Sequence, residues 1–126
     1  MWIYSQSTGT LTRNDKLVYT GYSGKGRGKN NPALENMPGL GPIPKGNWVI
    51  VDRYDSKNVG PFALVLHSVD ATPNNDINDR TNRAAFRIHG DSIKHPGEAS
   101  KGCIILPRVI REEMWYSGDH NLQVID

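Results

Sequence analysis

The sequence predicts a small, mainly β domain with one or two short helices, and three observations lead there. Thirteen glycines and eight prolines in 126 residues punctuate the chain too often for a helical bundle. Short runs alternate apolar and polar residues, the two-residue period of half-buried strands. Only one stretch, near the C-terminus, spaces its apolar residues as a helix does. The length suits one domain, residues 1–126, and no repeat, linker or low-complexity block divides it.

Taken in order, Trp2-Ile3-Tyr4, Thr10-Leu11-Thr12 and Leu17-Val18-Tyr19, with turns at Ser7-Thr8-Gly9 and Asn14-Asp15, form an expected antiparallel meander. Residues 21–32 hold four glycines and three cations, which excludes a regular element. Such a loop is either a plain surface connection or a backbone able to approach a ligand closely. Three prolines and three glycines in residues 38–50 make a rigid turn feeding a buried strand at Trp48-Val49-Ile50-Val51. A second apolar strand is expected at residues 61–67, then a polar loop over residues 72–83. Residues 84–88 read as a strand that delivers His89 at its end. Pro107, Val109, Ile110 and Met114 predict a helix over residues 107–116, stopped by Ser117-Gly118, and residues 121–125 a closing strand.

Composition limits the function. A net charge of +2, with both signs interspersed, provides no cationic face of the kind nucleic acid binding requires. One cysteine excludes an internal disulfide framework and a multi-cysteine zinc site. His67, His89, His95 and Cys103 do not fall at recognised metal-ligand spacing, and no cofactor is called for. The N-terminal residues lack the basic and apolar regions of a signal peptide, and no run of about 18 apolar residues could span a membrane. The expectation is synthesis in the cytoplasm and, for any outside substrate, delivery by other means.

Residues 86–106 concentrate the chemistry. Cys103, the lone cysteine, stands in Ser100-Lys101-Gly102-Cys103, 14 positions after His89. A thiol attacks a carbonyl only as thiolate, so it needs a base and donors for the oxyanion; His89 can supply the first and amides near Gly102 the second. Asp91 is placed to accept the other ring proton of His89, a job that a backbone carbonyl does equally well. The competing reading is a small buried thiol beside isoleucines, with His89-Gly90 only a turn. Arg83 and Arg87 flank the strand before His89, either as forks for a substrate carboxylate or as solvated charges.

His89-Gly90 followed by Ser100-Lys101-Gly102-Cys103-Ile104 resembles the signature of bacterial L,D-transpeptidases, as does the turn at Gly41-Pro42-Ile43-Pro44-Lys45-Gly46-Asn47-Trp48. The likeness is closer to the L,D-transpeptidase-like effectors of type VI secretion systems. Trp2 and Tyr4, Gly21-Tyr22-Ser23-Gly24 with Asn30-Asn31-Pro32, Phe86-Arg87-Ile88-His89-Gly90-Asp91 and Ser100 to Ile104 come in that family's order across nearly the whole chain. The wider signature places histidine where this chain has Lys101, and only ten residues separate His89 from Ser100, implying a trimmed loop and an altered acceptor.

The resemblance implies a small β-sandwich-like catalytic domain, with a monomer expected. Cys103 and His89 would be catalytic, supported by Asp91, Ser100 and Gly102. Arg83, Arg87, Tyr22, Asn30 and Asn31 would line the substrate cleft. It implies action on peptidoglycan stem tetrapeptides in a target cell's periplasm after type VI delivery, with L,D-carboxypeptidase or D-amino acid exchange activity and a cognate immunity protein. The alternatives are a non-catalytic wall-binding or immunity-type module of the same fold, and a cysteine amidase cutting another stem-peptide bond.

Overall fold

The computed structural model describes residues 1–71 and 75–126, so residues 72–74 of the expected polar loop lie outside the described residues. The chain is mainly β. Its strands are β1 (Trp2–Ser5), β2 (Thr10–Arg13), β3 (Lys16–Thr20), β4 (Tyr22–Ser23), β5 (Gly46–Ser56), β6 (Gly60–Ser68), β7 (Arg87–His89), β8 (Ile104–Ile105) and β9 (Asn121–Ile125), with one helix, α1 (Arg108–Tyr116), between the last two. They join in one sheet of order β3-β2-β1-β9-β5-β6-β7-β8-β4. The pairs β1–β9 and β7–β8 are parallel and the others antiparallel. The expected meander is β1 to β3.

The first and last strands of that order, β3 and β4, are consecutive in sequence, with only Gly21 between them. Adjacent Cα atoms lie about 3.8 Å apart, so the sheet must curl until its two edges meet, and its inner face packs against itself. The Gly21 amide donates to the Gly9 carbonyl at 2.8 Å, carrying the β2–β3 ladder one rung further to the corner. A side chain at Gly21 would run into the Ile105 carbonyl, so only glycine lets the chain turn that corner.

Strand alternation fills the enclosed space. Trp2 and Tyr4 of β1, Trp48 and Ile50 of β5, Leu64 and Leu66 of β6, and Leu122 and Val124 of β9 are buried together with Ile88 and Ile104. Trp48 meets Phe86 edge to face at a ring separation of 5.2 Å, and its indole N–H donates to the Pro44 carbonyl at 3.0 Å. The prolines of the 38–46 turn thus also fix the start of β5. Pro107 caps α1 from outside, in extended conformation, one residue later than expected for the helix start. The helix presents Ile110, Arg111 and Met114 inward and ends at Tyr116, with Ser117 as its cap and Gly118, at φ 76°, just beyond.

A methyl group at Gly21 meets backbone rather than a side chain that could move, which places Gly21→Ala at or beyond the upper end of overpacking costs. We expect a loss of about 3 kcal/mol or more in urea unfolding; a loss below about 1 kcal/mol would contradict the seam.

Candidate active site

The parallel register of β7 and β8 brings the two chemical groups together. Ile88 lies opposite Ile104 and His89 opposite Ile105, so Cys103, one position before β8, falls level with Arg87 on the His89 side of the ladder. The Cys103 thiol donates to the Ala85 carbonyl at 3.8 Å. Cys103 and His89 line one cavity of about 680 Å³ with Arg83, Phe86, Lys101 and Gly102. Pro38 and Gly39 of the turn before β5, and Asn58 and Val59 at the β5–β6 hairpin tip, complete its wall.

His89 is buried, and its Nδ1 lies 2.8 Å from the Gly90 carbonyl. A carbonyl only accepts, so Nδ1 carries the proton and Nε2 keeps its lone pair for the thiol. Burial pushes the imidazole below its ordinary value; the Gly90 carbonyl opposes this, and the Arg111 guanidinium adds to it. Desolvation pushes the Cys103 thiol up, against the pull of the Arg87 amide and the Arg87 and Arg83 charges. The resting pair is therefore neutral thiol beside neutral imidazole.

Asp91 does not orient His89, because Gly90 fills that role. Its carboxylate instead accepts from the Tyr22 hydroxyl at 2.5 Å and from the amides of Ser92 at 2.8 Å and Gly97 at 3.1 Å. Ser100 is likewise structural: its fully buried Oγ accepts from the amides of Gly24 at 2.9 Å and Gly102 at 3.1 Å and donates to the Cys103 carbonyl at 2.5 Å. One hydroxyl has one proton and two lone pairs, and all are used. The Gly102 amide is consequently turned to Ser100 rather than toward an oxyanion. Gly102 has φ 141°, and a Cβ there would strike the Arg83 guanidinium and Phe86.

Arg83 is not a free fork for a carboxylate. Nη1 donates to the carbonyls of Glu35 at 2.7 Å and Pro42 at 2.8 Å, and Nη2 to those of Gly41 and Lys101, each at 3.1 Å. Arg87 reaches the Phe86 carbonyl at 2.8 Å and the Tyr54 hydroxyl at 3.4 Å, beside the cavity rather than in its lining. Tyr22, Asn30 and Asn31 also stay outside that lining. Asn30 accepts from the Ser23 amide at 3.2 Å, and Asn31 donates to the Arg27 carbonyl at 3.0 Å while capping the 3₁₀ turn Pro32–Leu34. Their work is to fold the glycine-rich loop. Among the described residues no group of three or more His, Cys, Asp or Glu side chains could hold a metal ion, and no helix is long and apolar enough to cross a membrane.

A family profile, the Tlde1 domain, matches residues 18–125, which includes every residue of this site. The chain belongs to the Tlde1 domain family. Membership in this family of type VI secretion L,D-transpeptidase effectors suggests an effector with an enzymatic role. No curated protein matches the chain. The Tlde1 match begins within β3 and ends at the last residue of β9, so it takes in the seam as well as the site.

Sequence reasoning missed three positioning residues. Ser23 is fully buried, donates to the Gly102 carbonyl at 2.7 Å and accepts from the Ile43 amide at 2.8 Å, tying the glycine-rich loop to both walls. Arg111 donates to the carbonyls of Leu106, Pro61 and Phe62 and backs onto Gly90. A cation at 111, on the face shared by Pro107, Ile110 and Met114, was the legible sign of it. Glu35 accepts from Gln6 at 3.0 Å, the Lys45 amide at 2.9 Å and Arg80 at 2.8 Å, beneath the turn that walls the cavity; nothing in its sequence context marks it.

Burial alone would push Glu35 up, but Arg80, the Lys45 amide and Gln6 outweigh it and hold the carboxyl at about 2, below its ordinary 4.5. A folded value below the unfolded one stabilises fully above about pH 4.5 and is lost as the pH falls through about 2. Glu35→Gln should therefore flatten the stability profile across that window and cost on the order of 2 kcal/mol near neutrality, measured by urea unfolding at a series of pH values. An unchanged acid limb would count against this network.

Proposed function

We propose that this chain is an antibacterial effector, delivered by type VI secretion, that acts by cysteine acyl transfer on peptidoglycan stem tetrapeptides in the target periplasm. The observation that carries this reading is the shared cavity of Cys103 and His89, with His89 Nε2 left free by the Nδ1 bond to Gly90. Membership in the Tlde1 domain family supports the substrate class and implies a cognate immunity protein.

In the proposed reaction the Cys103 proton passes to His89 Nε2 as the sulfur attacks the carbonyl of the L-centre preceding the terminal D-alanine. The C–N bond breaks, His89 protonates the departing amine, and D-alanine leaves behind a thioester. Water or an incoming amine then attacks the thioester, its proton goes to His89, the C–S bond breaks and the thiol re-forms. Water gives L,D-carboxypeptidase activity; a D-amino acid gives exchange. A neutral resting pair means that proton transfer accompanies attack instead of preceding it. That keeps the thiol quiet until substrate arrives.

Disaccharide tetrapeptide incubated with the purified protein should release D-alanine, and Cys103→Ala should lower the rate by roughly a thousandfold or more. No release, or equal release from the variant, would sink the proposal. Because His89 lies below its ordinary 6.5, the acidic limb of kcat/KM should fall below pH 6.5. Iodoacetamide should alkylate the resting thiol slowly at pH 7, since Cys103 lies above its ordinary 9.0.

A further inference from the structure

Ten residues, 90–99, join His89 to Ser100, and the hydrogen bonds of this loop converge on one hydroxyl that arrives from another strand. Tyr22 of β4 lies opposite Ile105, and Ile105 lies opposite His89, so the three share one row and one face across β4, β8 and β7. Two strand spacings, about 10 Å, separate Tyr22 from His89 along that row. A tyrosine side chain is long enough to cross Ile105 and meet the loop beyond it.

The Tyr22 hydroxyl donates to Asp91 Oδ1 at 2.5 Å and accepts from the Ala99 amide at 2.9 Å. Asp91 opens the loop just after Gly90, and Ala99 closes it just before Ser100. One oxygen therefore clamps both ends. The middle of the loop is drawn to the same point: Asp91 also accepts from the Ser92 and Gly97 amides. Lys29 donates to the Gly97 carbonyl at 3.1 Å while its ammonium sits 4.3 Å from the centre of the Tyr22 ring.

Each end matters for a different reason. At the first, the Gly90 carbonyl that fixes the His89 tautomer belongs to the planar peptide between Gly90 and Asp91, so the bonds of the Asp91 side chain hold that plane. Gly90 has no side chain of its own to do it. At the second, Ala99 leads directly into Ser100, whose hydroxyl accepts from the Gly24 and Gly102 amides and donates to the Cys103 carbonyl. Burial and the bond to Asp91 push the Tyr22 phenol up to about 12, so it keeps its proton to donate. Burial would raise Asp91, but Tyr22, the Gly97 and Ser92 amides and the Lys29 charge outweigh it and hold the carboxyl below its ordinary 3.8. Donor and acceptor both persist at neutral pH.

We propose that Tyr22 is a positioning residue for Cys103 and His89, acting through Asp91 on the tautomer of His89 and through Ala99 on the turn that carries Cys103. Only the Nδ1–H tautomer leaves Nε2 able to take the thiol proton. Without the hydroxyl the Gly90 carbonyl is no longer held, and the Nε2–H form becomes accessible. The catalytic consequence rests on the acyl-transfer reading above; the consequence for the imidazole does not.

Tyr22→Phe removes the hydroxyl and keeps the ring that packs against Lys29. Nitrogen NMR of the histidine side chains at neutral pH, with the His89 signals assigned by their loss in His89→Gln, should show one Nδ1–H tautomer in the wild type. Tyr22→Phe and Asp91→Ala should each show a mixture of both tautomers. In D-alanine release from disaccharide tetrapeptide, each variant should lose about tenfold or more in kcat with KM within about twofold. The double variant should be no slower than the slower single one, because both changes open the same clamp. A single retained tautomer in Tyr22→Phe, a kcat within about twofold of wild type, or losses that multiply in the double variant overturns the proposal. Absence of release from the wild type overturns the acyl-transfer reading alone, and the tautomer then decides the positioning role. If Tyr22→Phe does not fold, Asp91→Ala is read by the same criteria. Folded and unfolded histidine signals are separate, and kcat is referred to folded protein, so partial unfolding does not imitate the result.

Discussion

The buried guanidinium of Arg83 is the interaction on which the site depends. It spans the carbonyls of Glu35, Gly41, Pro42 and Lys101, segments far apart in sequence that form opposite borders of the cavity. A buried cation without donors' partners would cost several kcal/mol, and a carbonyl left bare about 1–3. Each depends on the other, so the turn before β5 and the turn that carries Cys103 are set as one unit. Gly102 has no side chain because that guanidinium occupies the space.

A second layer of bonds carries the same order to the glycine-rich loop. Ser23 and Ser100 form complementary links: Ser23 donates to the Gly102 carbonyl, and Ser100 accepts from the Gly24 amide. Four glycines in residues 21–32 would cost considerable ordering entropy in a free loop. These bonds offset that cost, and the closed seam at Gly21 places β4 where they can form. The loop thus acts as a frame for the turn that carries Cys103.

Electrostatics complete the site. His89 is kept neutral by burial and by the Arg111 charge behind Gly90, and Cys103 by desolvation. Neither group is preset as an ion. The parallel register of two short strands brings Cys103 and His89 to one cavity, and the Nδ1 bond to Gly90 leaves Nε2 free for the proton transfer proposed above.

Much of this was legible in the chain. Period-two alternation marked the strands because one face of each is buried, and proline, helical spacing and glycine marked α1 because backbone geometry enforces them. Cys103 and His89 stood out because few residue types can do their chemistry. The partners of Asp91, Ser100 and Arg83 were beyond reach of sequence. Each bonds groups tens of residues away, and a polar side chain carries the same letters whether it holds a loop or a substrate. Residue type and local period determined which groups can react and which segments are strands. Only the curling of the sheet, set by its ladder order and the one-residue corner at Gly21, decided which of those groups meet.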